Sequence, residues 1–396
     1  MKRSGILRFG LPIMGLLIVC SGMQAKDISL EAGCARIDIT PPVGTWLSGY
    51  GTRNRPSDGL CDPLYAKALV LDDGQTKVAI VCTDLLWVPL ELTNAVRARI
   101  KERTGSVEDD VLICATHTHF GPKVDRPTKN WPDAADSKID TEYVDQLQSK
   151  LVTVVVRGNE KLTPAKLGAA RTVAEELLYN RRTRKPDGTV EMTFRLPASS
   201  EELTFGPVDA NVAILKVENG EGQTVATLIN FACHPVSGAK EKETFYSISA
   251  DYPGYAADVV EQVEGGLCMF ALGTAGNMNP VRLNRTDPRR KIGRALGAAT
   301  VRRLQFAPTS GDVRLSAVRK SIDLPLKQTQ DVEGEEDGKK AAATLQTEVQ
   351  AMRLGDVYIL GLPGEILVEI GLAIKRGAEI DNLFIISLAN DGCGYV

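Results

Sequence analysis

Histidine occurs only three times in 396 residues. No C-x-x-C pair is present, so a cysteine-rich zinc module has no ligands to build from. Neither sign of charge dominates: 47 Lys and Arg face 50 Asp and Glu, a net of −3. That balance excludes a nucleic-acid-coating role. No sequence repeat at solenoid periods is found. Beyond the first two dozen residues no apolar run is long enough to suggest a membrane-spanning helix.

What is present begins with a leader. Lys2, Arg3 and Arg8 precede an apolar stretch over 11–20 that is short for a bilayer span. Cleavage after Ala25 is expected, leaving 26–396 as one exported catalytic domain, periplasmic or extracellular. Lipidation at Cys20 is the second choice, because Val19 is bulky for the position before a lipidated cysteine. Without Cys20 seven cysteines remain. Cys82, Cys114 and Cys233 lie in or beside apolar strand patterns and read as small buried hydrophobes. Cys34 and Cys61 could pair in an oxidising compartment, a point the spacing leaves open.

Apolar patterning predicts strands over 77–86, 111–115, 212–217, 225–232, 267–272, 357–362 and 383–388, and a short one after Glu31 stopped by Pro41-Pro42. Helical spacing is predicted over 90–104, 143–156, 251–263, 289–304 and 365–376. A turn at 185–188 suggests a hairpin. Segments 120–140 and 333–340 read as loops. The recurring order of strand, polar turn and helix predicts an α/β fold: a mixed, largely parallel sheet core with flanking helices and its site at the strand carboxyl ends. The polar residues at those ends are Asp84, His117, His119, His234, Asn277, Asn279, Glu365, Asn390 and Tyr395, and their convergence is the central structural expectation.

All three histidines follow strands: Ala115-Thr-His117-Thr-His119 after one, and Ala232-Cys-His234-Pro235 after another. Read as strand, His117 and His119 point to one face. One could ligate a metal while the other meets substrate. Two histidines need a carboxylate or other ligand besides. Glu365, after Pro363-Gly364, is the best candidate, although a Glu at a helix start is also explained by the helix dipole. Tyr395 could add a phenolic oxygen. Trp46, Trp87 and Trp131 could line a groove, though a core place is commoner for tryptophan.

Several blocks carry a family resemblance. They are Gly33-Cys-Ala-Arg-Ile-Asp-Ile-Thr-Pro41, Ser48-Gly-Tyr-Gly51, Ala115-Thr-His-Thr-His-Phe-Gly-Pro122, Asn180-Arg181, Gly206-Pro-Val-Asp209, Asn230-Phe-Ala-Cys-His-Pro235, Leu362-Pro-Gly-Glu365 and the stretch from Asn390 to Val396. In content and order they resemble the neutral, non-lysosomal ceramidase family in its amino-terminal catalytic domain. The resemblance implies a zinc amidase acting on a lipid amide, with contact to a membrane surface. It implies zinc ligation by His117, His234, Glu365 and Tyr395, and a hold on the substrate carbonyl by His119 and Arg181.

Two departures stand out. The family's Gly-Asp-x-Ser-Pro-Asn block, whose Ser has been assigned as a nucleophile, reads Gly276-Asn277-Met278-Asn279-Pro280 here. Asn279 at that place cannot act as the nucleophile, which leaves attack to a zinc-activated water. The family also continues into further catalytic sequence and an immunoglobulin-like carboxyl domain, whereas Tyr395 is penultimate here and is expected to fray. A hydrolase for another amide or ester, or an inert binding relative, remain the alternatives.

Overall fold

A computed structural model describes residues 30–104, 110–124, 138–194, 196, 203–238, 242–281, 287–326 and 344–396. Residues 1–29 with Cys20, Trp131, the 333–340 segment and most of the 120–140 segment lie outside the described residues.

Eight strands form the main sheet. In chain order they are β1 (Glu31–Asp38), β2 (Tyr65–Asp72), β3 (Lys77–Thr83), β4 (Val111–Ala115), β5 (Thr163–Val173), then three strands after a short insertion described below. The insertion holds β6 (Leu178–Asn180), β7 (Arg182–Arg184) and β8 (Val190–Met192), and the sheet resumes with β9 (Asn211–Asn219), β10 (Thr224–Phe231) and β11 (Leu267–Leu272). Hydrogen bonding orders the eight as β11-β10-β9-β5-β1-β2-β3-β4. Helices α1 (Leu90–Thr104), α2 (Thr141–Asn159), α3 (Asp251–Glu264) and α4 (Pro288–Leu304) pack against it. Local chemistry starts two of them: the Asp140 side chain accepts from Tyr143 N at 3.0 Å, and Asp287 accepts from Arg290 N at 3.2 Å ahead of Pro288.

The sheet is mixed, but it is not largely parallel. Only β3–β4 and β10–β11 run parallel, and they are the two outermost pairs. The other pairings are antiparallel. The reason is turn chemistry. Asp73-Gly74-Gln75 closes the β2–β3 hairpin, with the Asp73 carboxylate accepting from Gln75 N and Thr76 N at 2.9 and 2.7 Å. Asn219 closes β9–β10 in the same way. Hairpin turns give antiparallel neighbours without a crossover helix.

Alternate residues of each strand serve two cores. Ala79, Val81, Ile113, Ile229 and Phe270 face the helices. Ile80, Leu112, Leu228 and Met269 face a second core. That core is shared with a four-stranded sheet of β13 (Leu315–Pro325), β14 (Thr344–Leu354), β15 (Val357–Gly361) and β16 (Asn382–Ile386), of which β13 and β14 were not expected. The main sheet curls until its edge strands β4 and β11 approach each other. Residues 387–390 stitch that seam: Ser387 N donates to Leu272 O at 2.9 Å, and Asn390 N to Ile113 O at 2.7 Å. Two strand ends far apart in hydrogen-bonding order thus become neighbours.

The described cysteines are all free thiols. Cys34 does not pair with Cys61: its thiol donates to Val225 O at 3.2 Å, while Cys61 lies beside Arg289. Trp46 and Trp87 are partly buried.

Candidate metal centre

The chain leaves β4 at Ala115 and turns sharply. His117 N donates to Leu85 O at 2.9 Å, and His117 has φ 68°. A left-handed backbone at a residue other than glycine costs roughly 1–2 kcal/mol and marks a constrained position. His117 and His119 therefore share a site through this turn, not through strand alternation. His234 follows β10 and is fully buried. His119 N donates to Pro235 O at 3.5 Å, tying the two histidine loops together.

The ring nitrogens are oriented by backbone carbonyls. His117 Nδ1 lies 2.8 Å from Leu86 O, and His234 Nδ1 lies 2.7 Å from Ala275 O. A carbonyl accepts only, so each Nδ1 carries the proton and each Nε2 presents a lone pair. The two Nε2 atoms stand 3.0 Å apart. Glu365 Oε2 lies 3.3 Å from His117 Nε2 and 3.1 Å from His234 Nε2. It is buried and receives no hydrogen bond. His119 Nε2 is 3.4 Å from His117 Nε2, and the three histidines offer ligand atoms within 4.8 Å of one another. Lone pairs meeting in a buried space with no proton between them suit a cation.

The charge states agree. Burial first, then Arg181, pushes His234 down to about 4. Burial, with His117 and His234 adding to it, holds His119 well below its ordinary value. Burial alone would raise Glu365, but His117 and His234 outweigh it and keep the carboxyl well below the usual range. His119 and His234 are thus neutral and Glu365 is a carboxylate.

Glu365 sits in the turn after β15, where Gly364 has φ 78°. Helix α5 (Val368–Ala378) begins three residues later than expected, so the helix dipole does not account for the acid. Tyr395 does not fray. Glu365 N donates to Gly394 O at 2.7 Å, and Val396 N to Glu365 O at 3.2 Å. Tyr395 is 44% exposed, but its hydroxyl accepts from Arg181 Nη2 at 2.9 Å, and desolvation there, with Glu365 beside it, raises the phenol above its ordinary value. Arg181 also donates to Gly276 O at 2.6 Å and to Asn279 Oδ1 at 3.2 Å.

His117, His119, His234, Glu365, Tyr395, Arg181 and Asn279 therefore come together. Asp84, Asn277 and Asn390 do not join them, because each is engaged elsewhere. Asp84 accepts from Tyr65 N, Asn277 caps α5 at Val368 N, and Asn390 accepts from Ile113 N. Sequence reasoning missed the shell around His119. The Tyr50 ring lies 4.9 Å from its ring, Arg53 donates to its carbonyl at 2.8 Å, and a Cβ on Gly49 would lie 2.6 Å from the imidazole. The Ser48-Gly-Tyr-Gly51 block was the available signal.

Comparison with known proteins agrees with this architecture. The model of the neutral/alkaline non-lysosomal ceramidase amino-terminal domain matches residues 30–272. Neutral ceramidase A of Dictyostelium discoideum is 25% identical over 247 residues, covering 61% of this chain and 33% of the relative. The neutral ceramidase of Pseudomonas aeruginosa is 22% identical over 278 residues, covering 67% and 39%. The chain spans about a third to two fifths of the length of the curated relatives it matches. The crystal structure of the Pseudomonas aeruginosa neutral ceramidase superposes with a TM-score of 0.72 at 18% identity, over 94% of this chain and 69% of that one. With the family model covering more than half its length, the chain belongs to the neutral/alkaline non-lysosomal ceramidase family.

Proposed function

We propose that the chain is a zinc-dependent amidohydrolase cleaving the N-acyl amide of ceramide-like lipids to a sphingoid base and a fatty acid. The observation that carries the reading is the meeting of His117 Nε2, His234 Nε2 and Glu365 Oε2 at 3.0–3.3 Å without a shared proton. Two imidazoles and a carboxylate suit zinc, and Tyr395 would complete the set. Bound zinc supplies a Lewis acid and a water whose pKa falls to about 7.

The chain's own residues do the rest. Arg181, fixed by Gly276 O and Asn279, and His119 hold the substrate carbonyl and stabilise the oxyanion. His119, neutral at rest, would take up the proton released by the attacking water and pass it to the leaving amine. Asn279 has no nucleophilic oxygen and instead orients the Arg181 guanidinium, so water is the attacking group. Asn279 also favours a second reading, hydrolysis of an amide other than ceramide.

Elemental analysis of the purified chain, run beside a panel of N-acyl sphingosine, N-acyl amino sugar and ester substrates, tests both readings. Zinc near one per chain with turnover of N-acyl sphingosine is expected. Full activity in metal-free protein would sink the mechanism. Export by a leader cleaved after Ala25 belongs to the same proposal, and amino-terminal sequencing of the secreted chain tests it.

A further inference from the structure

The β7–β8 hairpin is amphipathic in the reverse of the usual sense. Thr183 is buried, and its hydroxyl bonds that of Thr193 at 2.6 Å, so the inward face is polar and satisfied. The outward face is apolar: Val190, Met192, Phe194 and Leu196 are 53, 46, 53 and 42% exposed. The spacing of two keeps Val190, Met192 and Phe194 on one side of an extended chain. Cross-strand register adds charge to the same face, because Arg182 pairs with Met192 and Arg184 with Val190. On the described hairpin Arg182, Arg184 and Lys185 stand against Asp187 and Glu191; Lys185 pairs with Glu191 at 2.6 Å and Arg182 lies 3.9 Å from Glu369, which leaves Arg184 as the outward cation.

The face is continuous with the candidate centre. Phe194 lies under the Arg181 guanidinium, 5.6 Å from ring centroid to Cζ, and the same guanidinium donates to the Tyr395 hydroxyl. An apolar stripe flanked by an arginine matches the boundary between headgroups and acyl chains of an anionic bilayer. A dimer interface would not need the basic partner.

We propose that the outward face of the 182–194 hairpin docks this protein on anionic lipid bilayers, with Arg184 at the headgroup phosphates and Val190, Met192 and Phe194 in the acyl boundary. Docking there delivers a lipid amide beside Arg181. That consequence rests on the proposed function, whereas the binding itself does not.

The test is co-sedimentation of the full chain with vesicles of phosphatidylcholine alone, or of phosphatidylcholine mixed with phosphatidylglycerol. Preferential binding to the mixed vesicles, weakened by salt, is expected. Val190→Ser combined with Met192→Ser should lower the partition coefficient about tenfold or more. Arg184→Gln should lower it on the anionic vesicles alone. Phe194→Trp gives a gain of signal that does not depend on the double variant folding: its emission should shift to the blue with anionic vesicles. Absence of both binding and shift overturns the proposal. So does a concentration-dependent dimer that the double variant abolishes. Hydrolysis of a short-chain, water-soluble N-acyl amide is read separately. Binding without that turnover refutes the substrate reading alone, and turnover without binding refutes the docking alone.

Discussion

Two buried polar clusters flank the end of β4, and they differ in whether their acceptors have donors. One surrounds a cavity of about 200 Å³ lined by Asp62, Asp84, Lys67 and Thr116. Asp62 accepts from Ser249 Oγ and Ala250 N, both at 2.6 Å, and Asp84 accepts from Tyr65 N at 2.8 Å. The other cluster joins His117, His234 and Glu365, whose lone pairs meet with no donor among them. Buried acceptors are normally satisfied, because leaving one bare costs about 1–3 kcal/mol. The carboxylates of the first cluster meet that rule with protein donors, although the Thr116 hydroxyl does not, and the cluster is read as scaffold. In the second, Glu365 Oε2 has no donor and faces two imidazole nitrogens oriented as acceptors, an arrangement that suits a cation.

The largest expected effects test the second cluster. His117→Ala and His234→Ala should each remove bound metal and lower kcat/KM by about three orders of magnitude or more, read by elemental analysis and steady-state kinetics. Metal retained in both would erase the contrast between the clusters. Arg181→Ala should keep its metal and lose about 10²–10³ in kcat, the usual effect of deleting an oxyanion donor. A loss confined to KM would count against that role.

Gly49→Ala places a methyl on the His119 imidazole at a position with φ 97°. It should cost about 10- to 100-fold in kcat with metal content unchanged. Glu365→Gln sharpens the comparison by supplying the absent donor. Calorimetry of the chelated protein should show it about 1 kcal/mol more stable than the parent, while metal affinity falls. Equal or lower stability of the chelated variant would mean the acceptors were not in conflict.

The smallest effect belongs to the scaffold cluster. Burial raises Asp84 from 3.8 to about 6, despite Lys67 and the bond from Tyr65 N. The folded state therefore holds the proton more tightly than the unfolded one. This contribution to stability is complete below about pH 3.8 and is lost as the pH rises through about 6. Asp84→Asn should flatten the fall in unfolding free energy over that window, by at most about 3 kcal/mol. Parallel curves for variant and parent would show that Asp84 does not titrate there.

Helix α1 and strands β4 and β11 were legible to the residue, because helical apolar spacing closed by Gly105 bounds the first and an uninterrupted apolar run bounds each strand. Strands β2 and β5 were missed. So were β13 and β14, which mix polar and charged side chains such as Arg319, Lys320 and Arg353 among their apolar residues and carry no continuous apolar run. Among site residues the side-chain ligands were legible because histidine is so scarce here. The Leu86 and Ala275 carbonyls that fix the tautomers were not, since any residue supplies a carbonyl. The same limit hid the docking face: Arg184 and Val190 become neighbours only once the hairpin register is known.

The sequence by itself determined the donor types, their places after strand ends and the family, all of which are local properties of side chains and short patterns. Tertiary structure alone decided that β4 and β11, at opposite ends of the hydrogen-bonding order, would meet. Curvature of the sheet and the seam at 387–390 close that distance, and both depend on packing between residues hundreds of positions apart.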